Sequence, residues 1–70
     1  MKLKQFVDAC KVDMCKTHIQ LSDQNGYPIL YKSHSWKYFE EYNDKTLIDF
    51  DIEVLKNEEV LLLINIDLQS

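Results

Sequence analysis

Two periods of apolar and polar residues alternate along this chain, and each change of period marks a new element. Leu3, Phe6, Val7 and Cys10 recur at spacings of three and four, which predicts one stripe of a short N-terminal helix with Lys2, Lys4, Gln5 and Asp8 mainly outside. That helix should end between Cys10 and Lys16. In "THIQLSDQNGYPILYKS", Asp23 suits the first position of a turn and Gly26 the position that needs positive φ, so the stretch predicts a β-hairpin. A type I turn closed by a bulge at Gly26 gives a three-residue loop and pairs Leu21 with Ile29, Ile19 with Tyr31 and Thr17 with Ser33. A two-residue Asn-Gly turn would scatter the apolar set over both faces, so the bulged form is preferred. Pro28 lacks an N–H and is expected on an edge strand or at a strand's start.

Ser33 or Ser35 is placed to cap a short helix through "WKYFEEYN", with Trp36, Phe39 and Tyr42 or Asn43 on one side. "TLIDFDIEV" then returns to period two, and its Ile48, Phe50, Ile52 and Val54 oppose Asp49, Asp51 and Glu53 across a half-buried strand. Val60, Leu62, Ile64, Ile66 and Leu68 form the apolar face of the last segment. Matching the two sets needs the odd loop Lys56-Asn57-Glu58. It pairs Val54 with Val60, Ile52 with Leu62, Phe50 with Ile64 and Ile48 with Ile66. The expected order is α-β-β-α-β-β, a small α+β domain with a mostly antiparallel sheet and short helices packed on one face.

Seventy residues allow one domain, and 46% apolar content with a single Gly and a single Pro predicts a folded chain. The net charge of −4 repels phosphate backbones and anionic lipid, so direct nucleic-acid binding is not expected. Asp8 interrupts the N-terminal segment before any run of signal-peptide length, and no run approaches the ~18 apolar residues of a membrane span. A cytoplasmic protein with reduced thiols at Cys10 and Cys15 is the expectation.

"CKVDMCKTH" collects two thiols and an imidazole, so zinc is the first chemistry to weigh. A structural site needs four ligands, and His34 is the remaining soft donor besides Cys10, Cys15 and His18. The predicted hairpin sets His18 opposite Lys32 and diagonal to His34, which would let the imidazoles converge. The spacing lacks a tight paired knuckle and Cys10 already belongs to the helix stripe, so buried sulfur beside surface histidines is the preferred reading, with no metal or cofactor expected. Cys15 and His18 have no evident third group to orient a catalytic imidazole, and the chain carries no nucleophile elbow, P-loop or dinucleotide fingerprint. No enzyme is expected.

The reverse face of the C-terminal hairpin is more informative. Its register sets Glu53 beside Leu61, Asp51 beside Leu63, Asp49 beside Asn65 and Leu47 beside Asp67. The strip is either a solvated face over a shielded central strand, or an apolar centre with a charged rim that suits a basic partner. Tyr38 and Tyr42 add potential contact area, while Trp36 and Phe39 are expected to close the core.

The succession "MKLKQFVDAC", an apolar strand, "DQNG", a second strand, an aromatic-rich short helix and a closing hairpin resembles small acidic α+β proteins encoded by phages and prophages. The resemblance implies binding to host proteins, including inhibition of CRISPR and other defence systems. The resulting expectation is a stoichiometric binder of a host protein, in particular a nucleic-acid-binding one, through Asp49, Asp51, Glu53, Leu61, Leu63, Tyr38 and Tyr42. The alternative is a homodimer or assembly protein built on the same hairpin.

Overall fold

The computed structural model describes residues 1–70. Helix α1 (Leu3–Ala9) is followed by a 3-10 turn at Met14–Lys16, strands β1 (Thr17–Ser22) and β2 (Pro28–Ser33), and a 3-10 helix at Lys37–Tyr42. Strand β3 (Thr46–Val54), a 3-10 turn at Lys56–Glu58 and strand β4 (Val60–Asp67) complete the chain. The domain is α+β, with a four-stranded mixed sheet in the order β2-β1-β4-β3. β1 and β4 lie parallel at the centre, and both outer pairings are antiparallel.

The sequence pattern predicts a second α-helix, whereas residues 37–42 form a 3-10 helix. The spacing explains the difference: Trp36, Phe39 and Tyr42 are three apart, the repeat of a 3-10 helix, so one face of that geometry presents all of them inward. Phe39 is fully buried, and Trp36 and Tyr42 pack against the core around it. The N-cap of this helix is Trp36 rather than a serine, and Ser35 Oγ, one residue earlier, accepts from Lys37 N at 3.1 Å.

Period-two alternation puts Ile19 and Leu21 of β1 and Leu62, Ile64 and Ile66 of β4 on one face, where Leu3 of α1 and Phe39 cover them. Phe6, Val7 and Cys10 complete the predicted helix stripe as partly buried neighbours. α1 ends at Ala9, just before the window the pattern gives. Burying each large aliphatic side chain contributes roughly 1.5–3 kcal/mol, so this small set carries the domain.

The β1–β2 turn forms as expected, and the strands beyond it do not pair as expected. Asp23 O accepts from Gly26 N at 3.0 Å, Asp23 N donates to Tyr27 O at 2.9 Å, and Gly26 sits at φ 83°. Asp23 Oδ1 also accepts from the backbone of Asn25 and Tyr27. The pairing then slips at a bulge: Ser22 faces Pro28, but Leu21 faces Leu30, Ile19 faces Lys32 and His18 faces Ser33. Ile29 is the extra residue. Both Ile29 and Leu30 thereby reach the core, while Tyr31, whose hydroxyl would have lacked a partner on the apolar face, turns to the opposite side. Pro28 opens an edge strand, as its missing N–H requires.

The β3–β4 register agrees with the apolar matching from Val54–Val60 through Asp49–Asn65. A bulge between Leu47 and Asp49 then sets Leu47 against Ile66 and Thr46 against Asp67, so Ile48 loses its expected partner. The odd loop is also present, closed by Leu55 N donating to Glu59 O at 2.7 Å. It holds Asn57 at φ 63° and Glu58 at φ 64°, and left-handed backbone suits Asn far better than Glu. Glu58→Gly should therefore raise stability by about 0.5–1 kcal/mol, read as a higher denaturation midpoint. The Lys16–Glu58 ion pair that this removes is 3.7 Å long and highly exposed, too weak to offset the gain. An unchanged or lowered midpoint would count against this reading of the turn.

Candidate functional site

Strand β3 carries an apolar row, an acidic row and an open backbone edge. The helical layer is short, so it covers β1, β4 and only the start of β3. Leu3 N donates to Lys45 O, Leu47 N donates to Met1 O, and a bridge joins Lys2 to Thr46. Beyond that point nothing pairs with the outer edge.

The sequence pattern predicts a half-buried apolar row on β3, and the structure corrects the burial while keeping the direction. Phe50 and Ile52 share a face with Ile64 and Leu62, yet Ile48, Phe50 and Ile52 remain about half exposed and Val54 is 77% exposed. Phe6 packs on Phe50, with ring centroids 4.8 Å apart. A seven-residue helix cannot span both the centre and the edge of the sheet. The result is an exposed apolar row of Phe50, Ile52 and Val54 along an edge strand, a feature soluble monomers generally avoid.

The opposite face carries no helix. Alternation brings Asp49, Asp51 and Glu53 there, all exposed, beside Asn65, half-buried Leu63 and half-buried Leu61. Asn65 Nδ2 donates to Asp49 Oδ1 at 2.8 Å. Parallel pairing extends these rows to Ser22, Gln20 and His18 on β1. Between the rows lies an open concavity of about 430 Å³, lined by Gln20, Ser22, Gly26, Asp49, Phe50, Asp51, Leu63 and Asn65. Its lining is mainly polar.

One hydrogen bond reveals the state of the edge. Ile52 N donates to the carboxylate of its own neighbour, Asp51 Oδ1, at 2.8 Å, and so does not join the ladder with β4. Antiparallel ladders alternate inward and outward backbone groups, so the N–H and C=O of Phe50, Ile52 and Val54 face the open side. The inward bond of Leu55 to Glu59 fits the same alternation.

The expected site residues divide between two faces. Asp49, Asp51, Glu53, Leu61 and Leu63 come together on the uncovered face. Tyr38 and Tyr42 do not join them, because their 3-10 helix packs on the core side: Tyr42 abuts the core, and exposed Tyr38 lies 4.8 Å beneath the Lys32 ammonium. The exposed partners of the carboxylates are the apolar side chains of β3 itself, which the sequence pattern assigns to the core.

The four soft donors also separate. Cys10 packs against the core, whereas Cys15 is exposed rather than buried. His18 and His34 do converge, with ring centroids 5.1 Å apart, although the hairpin slip pairs His18 with Ser33. Glu59, not a cysteine, completes their cluster. No helix is long and apolar enough to cross a membrane. Comparison with protein-family models, curated proteins and solved structures finds no match to this chain.

Proposed function

We propose that this protein is a non-enzymatic binding module that engages a protein partner stoichiometrically along β3. The observation that carries the proposal is the coincidence, on one strand, of an exposed apolar row, an acidic row and unpaired backbone. A strand added to that edge would place alternate side chains on the two faces. Its complement is therefore an extended segment with apolar residues at one parity and basic residues at the other.

Charge selects among occupants. A second copy pairing through β3 would have to set carboxylate against carboxylate wherever it set apolar against apolar, and like charges directly opposed destabilise a sheet pair. A basic partner gains attraction from the same residues and associates faster. The other edge is a poorer template, since Pro28, the bulge at Ile29 and Lys32 all blunt β2.

The partner class that fits is a host protein with a cationic groove, such as one that holds nucleic acid. The carboxylates of β3 would stand in for phosphates while Leu61 and Leu63 cover the apolar floor. Inhibition of a host defence system by occlusion is the biological role we assign to a phage or mobile-element protein of this kind. The direct test is titration with two extended probe peptides, one alternating Val with Lys and one alternating Val with Glu. Saturable binding of the Lys peptide, weakened by salt and absent for the Glu peptide, is the expected result. Equal binding of both, or a chain that sediments as a stable dimer at neutral pH, would overturn the assignment.

A further inference from the structure

The structure assigns a second site, independent of β3: we infer that His18, His34 and Glu59 together bind one divalent transition-metal ion of the zinc class. Their ligand atoms all lie within 4.8 Å of one another. His18 comes from β1, His34 follows β2 directly, and Glu59 follows the turn before β4, so the fold itself brings these distant residues together. Two imidazoles and one carboxylate form a donor set that zinc and its neighbours favour, with the remaining positions left to water.

The geometry needs little adjustment. His18 Nε2 and Glu59 Oε1 are 3.1 Å apart. Two ligands on a tetrahedral ion with bonds of about 2.0–2.1 Å stand roughly 3.3 Å apart, so this pair already has ligand spacing. The wider sides of the triangle run to His34, an exposed residue whose ring nitrogen Nε2 is not used by its bond to the Met14 carbonyl.

Both imidazoles also have the outer hydrogen bonds of metal ligands. His34 Nδ1 lies 2.9 Å from the Met14 carbonyl, which can only accept, so Nδ1 carries the proton and Nε2 is left with its lone pair. His18 Nδ1 lies 2.6 Å from Ser33 Oγ. Ligation through Nε2 needs the neutral tautomer of His18 that carries its single proton on Nδ1, donated to Ser33 Oγ, so that the Nε2 lone pair is left for the ion. Such outer partners fix the tautomer and orientation of a ligating histidine.

Calorimetric titration of the full chain with ZnCl₂, repeated with Co²⁺ to read coordination from its absorption, tests the assignment. The expected result is one ion per chain, at least tenfold weaker in His34→Ala and in Glu59→Gln. Both side chains lie away from the core, so circular dichroism should show these variants folded. Ser33→Ala should weaken binding about 10–100-fold through the outer hydrogen bond, and Cys15→Ala should leave it unchanged. Absence of stoichiometric binding at micromolar zinc, affinity untouched by His34→Ala, or affinity lost in Cys15→Ala would each overturn the site.

Discussion

Ile64→Ala is expected to leave the chain largely unfolded at room temperature. Ile64 is completely buried on β4, flanked by Leu21 of β1 and Phe50 of β3. Deleting a buried aliphatic side chain of this size costs about 2–5 kcal/mol, from lost transfer free energy and the cavity left behind. A domain of this length has only about 3–5 kcal/mol of net stability to lose. The measurement is urea denaturation followed by circular dichroism, where the folded baseline should be shortened or absent. Ile52→Ala is the internal control: its side chain is half exposed and faces the same sheet side, so its cost should stay near 1 kcal/mol. Equal losses for the two would contradict the division between covered centre and bare edge.

The second large effect concerns binding. Replacing Asp49, Asp51 and Glu53 together with Lys should lower affinity for the Val/Lys probe at least about tenfold, roughly 1.4 kcal/mol, and should admit the Val/Glu probe instead. All three carboxylates are exposed, and the one side-chain hydrogen bond to another strand that is lost is that from Asn65 to Asp49, so the fold should survive. Raising the ionic strength should erase much of the difference, since exposed charges are screened over about 8–10 Å near physiological salt. Unchanged preference for the Lys probe in the triple variant would reject the acidic row as a recognition element.

How much of this was legible in the residues follows from the range of each interaction. The β3–β4 register could be read because the apolar row, the odd loop and the two-residue period all agree on one pairing. The β1–β2 turn could be read for the same local reason, through Asp23 and Gly26. The slip after it could not, since a bulge at Ile29 is decided by which of Ile29, Leu30 and Tyr31 the core accepts, and that depends on β4. The parallel contact between β1 and β4 joins segments some forty positions apart, with no turn chemistry to announce it. That contact makes β3 an edge strand, and the shortness of α1 leaves its apolar row bare.

The same distance in sequence hid Glu59 from the histidines. His18 and His34 were legible as a diagonal pair, but their actual approach depends on the shifted register and on His34 adopting φ 65°. Their carboxylate partner lies in a loop that only the parallel pairing brings near. Tyr38 and Tyr42 illustrate the reverse case: large aromatics suggest an interface, yet the three-residue repeat of Trp36, Phe39 and Tyr42 turns Tyr42 to the core and leaves Tyr38 exposed beneath Lys32, away from the acidic row.

Recognition of a basic, extended partner requires β3 to offer it an open edge. Amide hydrogen exchange, measured in the free chain and with saturating Val/Lys probe, reads that edge residue by residue. The backbone N–H groups of Phe50 and Val54 should exchange rapidly in the free protein, with Ile52 slowed by its bond to Asp51, and all three should become protected in the complex. Protection appearing along β2 instead, with Phe50, Ile52 and Val54 unchanged, would contradict it.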